Sequence, residues 1–377
     1  MTIKRLLRAI VVDGNDKRDQ RKIRMVISPA IRCLKTVSLG IVISVSGLAA
    51  SPVAAQSVNW SNEIIELQPA RSAGARPVAV AVTLDPAGRR LAIAGDDHAI
   101  RVWHLADQRV IQRLVGHTDW VRSLCFSSDG SQLASAGNDG RVLLWSDETS
   151  QPLRELMHGD GALSAVAFRP GTSQLACVGF NEPLRFFDTR TGERLLELQC
   201  PCNDMRAIAF SPTANLMAGG GRNGKIRIWE PASGKIRGET SAHRLRIRDL
   251  TFSPDGNWLA SCSDDRRVRI ASVNGSDEFM FPRGTAKVMS VAFVGPNRLA
   301  TGGSDNVIRI WDLDTRQEVA KLFGHTGSVM ALVYRGETLI SAGFDATVRI
   351  WRLQNSATRE VQTPSVRIGR TEIFENR

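Results

Sequence analysis

Short runs of alternating apolar and polar residues, separated by turn clusters, recur along this chain from about position 78 onward. The stretch Gly116 to Trp145, GHTDWVRSLCFSSDGSQLASAGNDGRVLLW, shows the order most clearly. Period-2 alternation in VRSLCF predicts a strand, SSDG a tight turn, QLASAG a second strand, NDG another turn and RVLLW a third strand. A fourth run, PLRELM, precedes the next unit. The strand-ending position returns at Trp103, Trp145, Phe187, Trp229, Ala271, Trp311 and Trp351, at intervals of 42, 42, 42, 42, 40 and 40 residues. A period near 40 that closes on Trp predicts an all-β, seven-bladed β-propeller of four-stranded antiparallel blades.

The run NEIIELQ (Asn62 to Gln68) precedes blade 1 as PLRELM precedes blade 3, but no inner strands come before it. It is expected to join the three strands of blade 7 and close the ring, which removes exposed sheet edges. The chain then divides into a leader (1–55), a linker with the closing strand (56–75), the propeller (76–354) and a polar tail (355–377). The TREVQ of that tail competes for the same edge.

By length alone, 377 residues would hold two or three domains, but the repeat makes one. Thirty-two glycines and only 6% aromatic residues suit short strands joined by tight turns. The net charge of +11 is unevenly spread: residues 1–55 hold 10 basic and 3 acidic residues, so the remainder carries only +4. That mild excess counts against nucleic acid. In the leader, Arg32 and Lys35 precede an apolar run from Val37 to Ala50, followed by Val53, Ala54 and Ala55 before Gln56. This order reads as an export signal cleaved after Ala55, giving a periplasmic or secreted protein. Translation from Met25 would leave a signal of ordinary length. A run of 14 residues is short of the roughly 20 that span a bilayer. An uncleaved leader is the one route to membrane contact, and no cysteine follows the run to carry a lipid anchor.

The repeat unit resembles a WD40 repeat, with GH at its head and Trp ending the third strand. The resemblance implies a buried bonded set within each blade: a His, a Ser/Thr ten residues before the Trp slot, an Asp six before it, and the Trp. Blade 2 carries His117, Ser135, Asp139 and Trp145; blade 7 carries His325, Ser341, Asp345 and Trp351. Blade 5 keeps His243, Ser261 and Asp265 with Ala271 in the Trp slot, and blade 6 keeps Thr301, Asp305 and Trp311 with Gly284 for His. Blade 1 keeps Asp97 and Trp103, blade 4 has Asn223 and Trp229, and blade 3 has Asn181 and Phe187. Asp or Asn at every such turn fits a need for an acceptor and for a residue tolerant of turn geometry. Blades 2 and 7 are expected to be the stiffest, blades 3 and 4 the most adaptable.

The same resemblance implies partner contacts at two rim positions per blade, one entering the first strand and one just before the turn Asp. These are Val78 and Asp96, Trp120 and Asn138, Ala162 and Phe180, Asp204 and Arg222, Arg246 and Asp264, Lys287 and Ser304, and Ser328 and Phe344. The contact candidates among them are Trp120, Phe180 and Phe344 on one arc, and Arg222, Arg246 and Lys287, with Arg244, on another. Aromatic and Arg anchors suit a protein or peptide with an apolar anchor beside an acidic segment.

No GxSxG, HExxH, P-loop or paired-carboxylate motif occurs. His117, Ser135 and Asp139 look like a hydrolytic triad, but blade 7 repeats them at a blade interval. GGGRNG (Gly219 to Gly224) lies in a strand–turn–strand, not at a helix start. Cys125, Cys177 and Cys262 fall in predicted strands as small buried thiols, Cys33 lies in the leader, and Cys200 and Cys202 form an isolated C-P-C. No cofactor or metal is expected. The leading expectation is a non-catalytic scaffold; a propeller enzyme with a central-channel site and a nucleic-acid-binding propeller are the alternatives.

Overall fold

The computed structural model describes residues 59–67, 76–147 and 149–354. The leader, the Ala55 cleavage point, the Met25 start and the tail from 355 onward lie outside the described residues. Within them, strands and turns build seven four-stranded antiparallel sheets. In blade 2 the strands are Val121–Phe126, Gln132–Gly137, Arg141–Ser146 and Arg154–His158, which follow the alternating runs of the sequence. Burial declines from the second strand outward: Met217–Gly221 in blade 4 is buried throughout, whereas the outer strand Lys235–Ser241 is almost wholly exposed.

The core is a circle of seven apolar clusters, each filled by two adjacent blades. Trp145 of blade 2 packs with Ile100 and Leu114 of blade 1, and Trp229 of blade 4 with Leu184 and Phe186 of blade 3. The repeated Trp is therefore a wedge between blades, where its large apolar surface contributes most. No blade can bury both faces alone, so stability depends on an unbroken ring.

Closure follows the predicted route. Asn59–Glu66 pairs antiparallel with Thr347–Gln354, from Asn59 opposite Gln354 to Glu66 opposite Thr347. The strand starts three residues before the predicted Asn62. Ile65 and Leu67 are buried in the cluster that blade 7 (Ile340, Val348, Ile350) shares with blade 1 (Leu84, Leu91, Ile93).

Each inner strand opens with a bulge, as between Val121 and Ser123 opposite Gly137. The crossing there is close: a Cβ on Gly95 would lie 1.7 Å from the Val78 carbonyl oxygen, so only glycine fits. The turn before the third strand corrects one expectation. Left-handed backbone falls one residue after the turn acid, at His98, Gly140, Gly224, Arg266, Asn306 and Ala346. Only in blade 3 does the turn residue itself, Asn181 (φ 56), take that conformation. The acid serves mainly as an acceptor.

Candidate functional site

Two complete bonded sets stand where the sequence placed them. In blade 2, His117 Nε2 lies 2.7 Å from Ser135 Oγ, which accepts the Trp145 indole N–H at 2.8 Å. His117 Nδ1 meets the Asp139 carboxylate at 2.9 Å. Blade 7 repeats this with His325, Ser341, Asp345 and Trp351 at 2.7, 2.9 and 2.9 Å. An Nδ1–H donated to the carboxylate leaves Nε2 to accept the serine O–H, so each group is satisfied with a neutral ring. Burial lowers the pKa of His325 and of His243 against the pull of their Asp partners. Burial pushes the Asp139 and Asp345 carboxyls upward, yet hydrogen bonds from His117 and Thr118, and from Thr326 and Thr347, hold both below the ordinary range. Each serine is enclosed and already bonded on both sides, which suits an internal brace and not a nucleophile.

The blades without His use a different partner for the turn acid. In blade 1, Arg101 Nη2 pairs with Asp97 at 2.5 Å; in blade 6, Arg309 Nη2 pairs with Asp305 at 2.6 Å. Both arginines sit two residues before the Trp, in RVW and RIW. That spacing was the available signal, and sequence reading passed over it. Ile93 occupies the hydroxyl slot of blade 1, and the Trp103 indole nitrogen is buried without a partner.

The thiols are packing groups. Burial drives the Cys177 thiol up to about 12 and that of Cys200 up to about 11. Cys200 and Cys202 are both unbridged and pack against the cluster of Phe186 and Met205. Raised as they are, the Cys177 and Cys200 thiols are unreactive. Among the described residues, no group of three or more His, Cys, Asp or Glu side chains is placed to hold a metal ion.

Within each blade the two rim positions meet. In six blades the two positions are joined by a main-chain hydrogen bond: Asn138 to Trp120, Phe180 to Ala162, Arg222 to Asp204, Asp264 to Arg246, Ser304 to Lys287 and Phe344 to Ser328, at 2.8–3.0 Å. In blade 1 the Val78 N–H reaches the Asp96 side chain instead. Phe180 and Phe344 are open to solvent at 43% and 42% exposure. Trp120 is half-buried, with the Arg122 guanidinium 4.7 Å above its ring, and so offers less free surface than its loop position implied. Arg222, Arg244 and Lys287 are exposed. Arg246 instead pairs with buried Asp204 at 3.1 Å, and is partly neutralised.

Three further arginines, Arg122, Arg206 and Arg248, occupy the second position of the inner strands, at the bulge that turns side chains toward the rim. Arg206 pairs with Asp204 at 2.6 Å and Arg248 with Asp264 at 2.7 Å. Arg122 instead donates to the neutral Asn138 amide oxygen at 2.9 Å and forms no ion pair among the described residues. Burial, and then the charge of Arg206 from another blade, lower the Arg122 pKa against the pull of Asp119. Below these arginines, hydroxyls and a carboxylate stitch blade to blade. Ser123 Oγ accepts from Val166 N, Asp249 from Val291 N, and Ser290 Oγ from Leu332 N, at 3.0–3.1 Å.

Comparison with known proteins agrees with this geometry. The family model described as WD domain, G-beta repeat matches residues 108–146, 192–230, 234–271, 279–312 and 316–352. Mitochondrial division protein 1 of Mycosarcoma maydis is 34% identical over 85 residues, covering 22% of this chain and 10% of that protein. Ribosome biogenesis protein YTM1 of Eremothecium gossypii is 36% identical over 74 residues, 19% of this chain and 16% of the relative. Pre-mRNA-processing factor 19 of Mus musculus is 39% identical over 67 residues, 17% and 13%. The chain thus spans only a small part of the relatives it matches. The chain is thus a seven-bladed β-propeller of four-stranded blades, five of which match as WD40 repeats.

Proposed function

We propose that this chain is a non-catalytic scaffold that holds a partner protein or peptide on the rim around its channel mouth. The observation that carries this reading is the exposure, at equivalent rim positions, of Phe180 and Phe344 in blades 3 and 7 and of Arg222 and Lys287, with Arg244 nearby, in blades 4 to 6. An apolar segment next to carboxylates complements both arcs, while Arg122 supplies a further cation at the mouth. The relatives carry names from mitochondrial division, ribosome biogenesis and pre-mRNA processing, three processes without a common reaction. What they share with this chain is repeat, and fold by itself assigns no chemistry. Once a partner has been captured and identified, its affinity for Phe344→Ala and for Arg222→Glu decides the matter. Each is expected to weaken binding about tenfold, near 1.4 kcal/mol. Unchanged affinity in both variants would remove the rim from consideration.

The same reading places the protein outside the cytoplasm, because the leader has the order of an export signal. N-terminal sequencing of the protein from an envelope or culture fraction should begin at Gln56. A cytoplasmic protein that retains residues 26–55 would overturn export.

A further inference from the structure

Blade 6 has lost a side chain without losing the space for it. Gly284 stands in the histidine slot, and its N–H bonds the Arg266 carbonyl at 3.0 Å, as His243 N–H bonds the Gly224 carbonyl at 2.9 Å in the preceding blade. The main chain is therefore placed as in a complete set. A Cβ at Gly284 would meet nothing closer than 3.8 Å. Thr301 Oγ1 accepts the Trp311 indole N–H at 2.9 Å, but the second bond that histidine makes to this hydroxyl in blades 2, 5 and 7 is missing. Thr301 is only 3% exposed, so its O–H is a buried donor beside the vacancy. Arg309 covers Asp305 but does not fill the gap.

What remains is a cavity of about 220 Å³. A core cavity of roughly 150 Å³ already takes up benzene. One wall is aromatic: Phe281 stacks on Trp311 with ring centres 4.5 Å apart and planes 23° apart. Besides Arg309 and the Glu318 carboxylate paired with it, the lining carries three further cations, Arg266, Arg283 and Lys287. Among the described residues none of these three forms an ion pair, whereas Arg309 is engaged by Asp305 and Glu318. An apolar pocket with a single buried hydroxyl and a few cations in its lining is the usual make-up of a small-molecule site.

We propose that the empty histidine slot of blade 6 binds a small heteroaromatic carboxylate, its ring lying against Phe281 and Trp311 in place of the absent imidazole. A ring nitrogen accepts the Thr301 O–H, and the carboxylate meets Arg283 and Lys287. The site needs no protein partner: it shares Lys287 with the rim but rests on the empty slot, so either reading can fail alone.

Imidazole-4-acetate is the probe, titrated into the full chain by calorimetry, with the Trp311 indole N–H followed by NMR and assigned through Trp311→Phe. The expected result is saturable binding at one site, with a Kd of about 1 mM or tighter, and a shifted Trp311 signal. Imidazole without the acid and acetate without the ring should each bind at least about tenfold more weakly. Gly284→His fills the slot and should abolish binding. Should that variant not fold, Thr301→Val keeps the volume and should weaken binding about tenfold. Absence of saturable binding, an unmoved Trp311 signal, or equal affinity in every folded variant overturns the proposal. Equal affinity for plain imidazole overturns the choice of an acid.

Discussion

A chain that begins at Arg76, without Asn59–Glu66 and Leu67, is expected to lose its single cooperative melt and to self-associate. Three physical losses coincide. Ile65 and Leu67, 6% and 3% exposed, leave the cluster that joins blade 7 to blade 1. Burial of two such side chains is worth about 3–6 kcal/mol, against a total stability of about 5–15 kcal/mol for a typical domain. The ladder from Asn59–Gln354 to Glu66–Thr347 is lost as well. Finally, Thr347–Gln354 becomes an open edge, with Trp351 behind it, ready to pair with a second chain. Circular dichroism melting and size-exclusion chromatography report the two consequences. Adding the peptide 59–67 in trans should restore the melt, which separates a missing strand from a general folding defect. Glu63→Ala is the mild control: it removes a half-exposed ion pair with Arg352, worth about 0–1 kcal/mol, and a long exposed hydrogen bond from Gln108 at 3.4 Å. A monomeric truncated chain with an unchanged melt would mean that the ring does not depend on this strand.

The closing strand was legible because it is a local alternating run with no inner strands before it, so topology left it one place to go. Blade count was legible for a related reason: the Trp wedge must recur once per blade interface, and its spacing survives where Phe187 or Ala271 replaces it. What escaped sequence reading depends on approach across blades. Asp204 and Arg246 lie one blade apart, and nothing near either residue announces that one neutralises the other. The Arg101–Asp97 and Arg309–Asp305 pairs are local and could have been found, but arginine precedes the Trp slot by two in six blades, including blades 5 and 7, which keep histidine. Which arginine swings to the acid is decided by whether an imidazole already occupies it. The blade 6 cavity follows from the same rule, because arginine replaces the hydrogen bond to the acid and not the volume of the ring.

His117→Ala and His325→Ala are each expected to lower stability by about 3–5 kcal/mol, the range for a buried charge that loses its partner. The midpoint of thermal unfolding should fall by roughly 6 °C or more. The cost lies less in the deleted contact than in what stays behind. Asp139 and Asp345 remain almost wholly enclosed, and Ser135 and Ser341, both 0% exposed, lose the acceptor for their O–H. Trp103→Phe provides a contrast, since the Trp103 indole nitrogen has no partner to lose. It should cost clearly less than Trp145→Phe, which strips Ser135 of a donor. Acidity adds a second readout with a definite sign. His325 is held neutral in the fold because its pKa is lowered, whereas in the unfolded chain it titrates near 6.5. As pH falls through about 6.5 the unfolded chain takes up a proton that the fold refuses, so stability declines. Asp345, with its lowered pKa, adds a further loss once pH falls through the carboxylate range near 4. His325→Ala removes the first of these steps, so its melting midpoint should change less across the histidine range than that of the native chain. Equal melting of native and both alanine variants, at either end of that range, would show that these sets do not brace the blades.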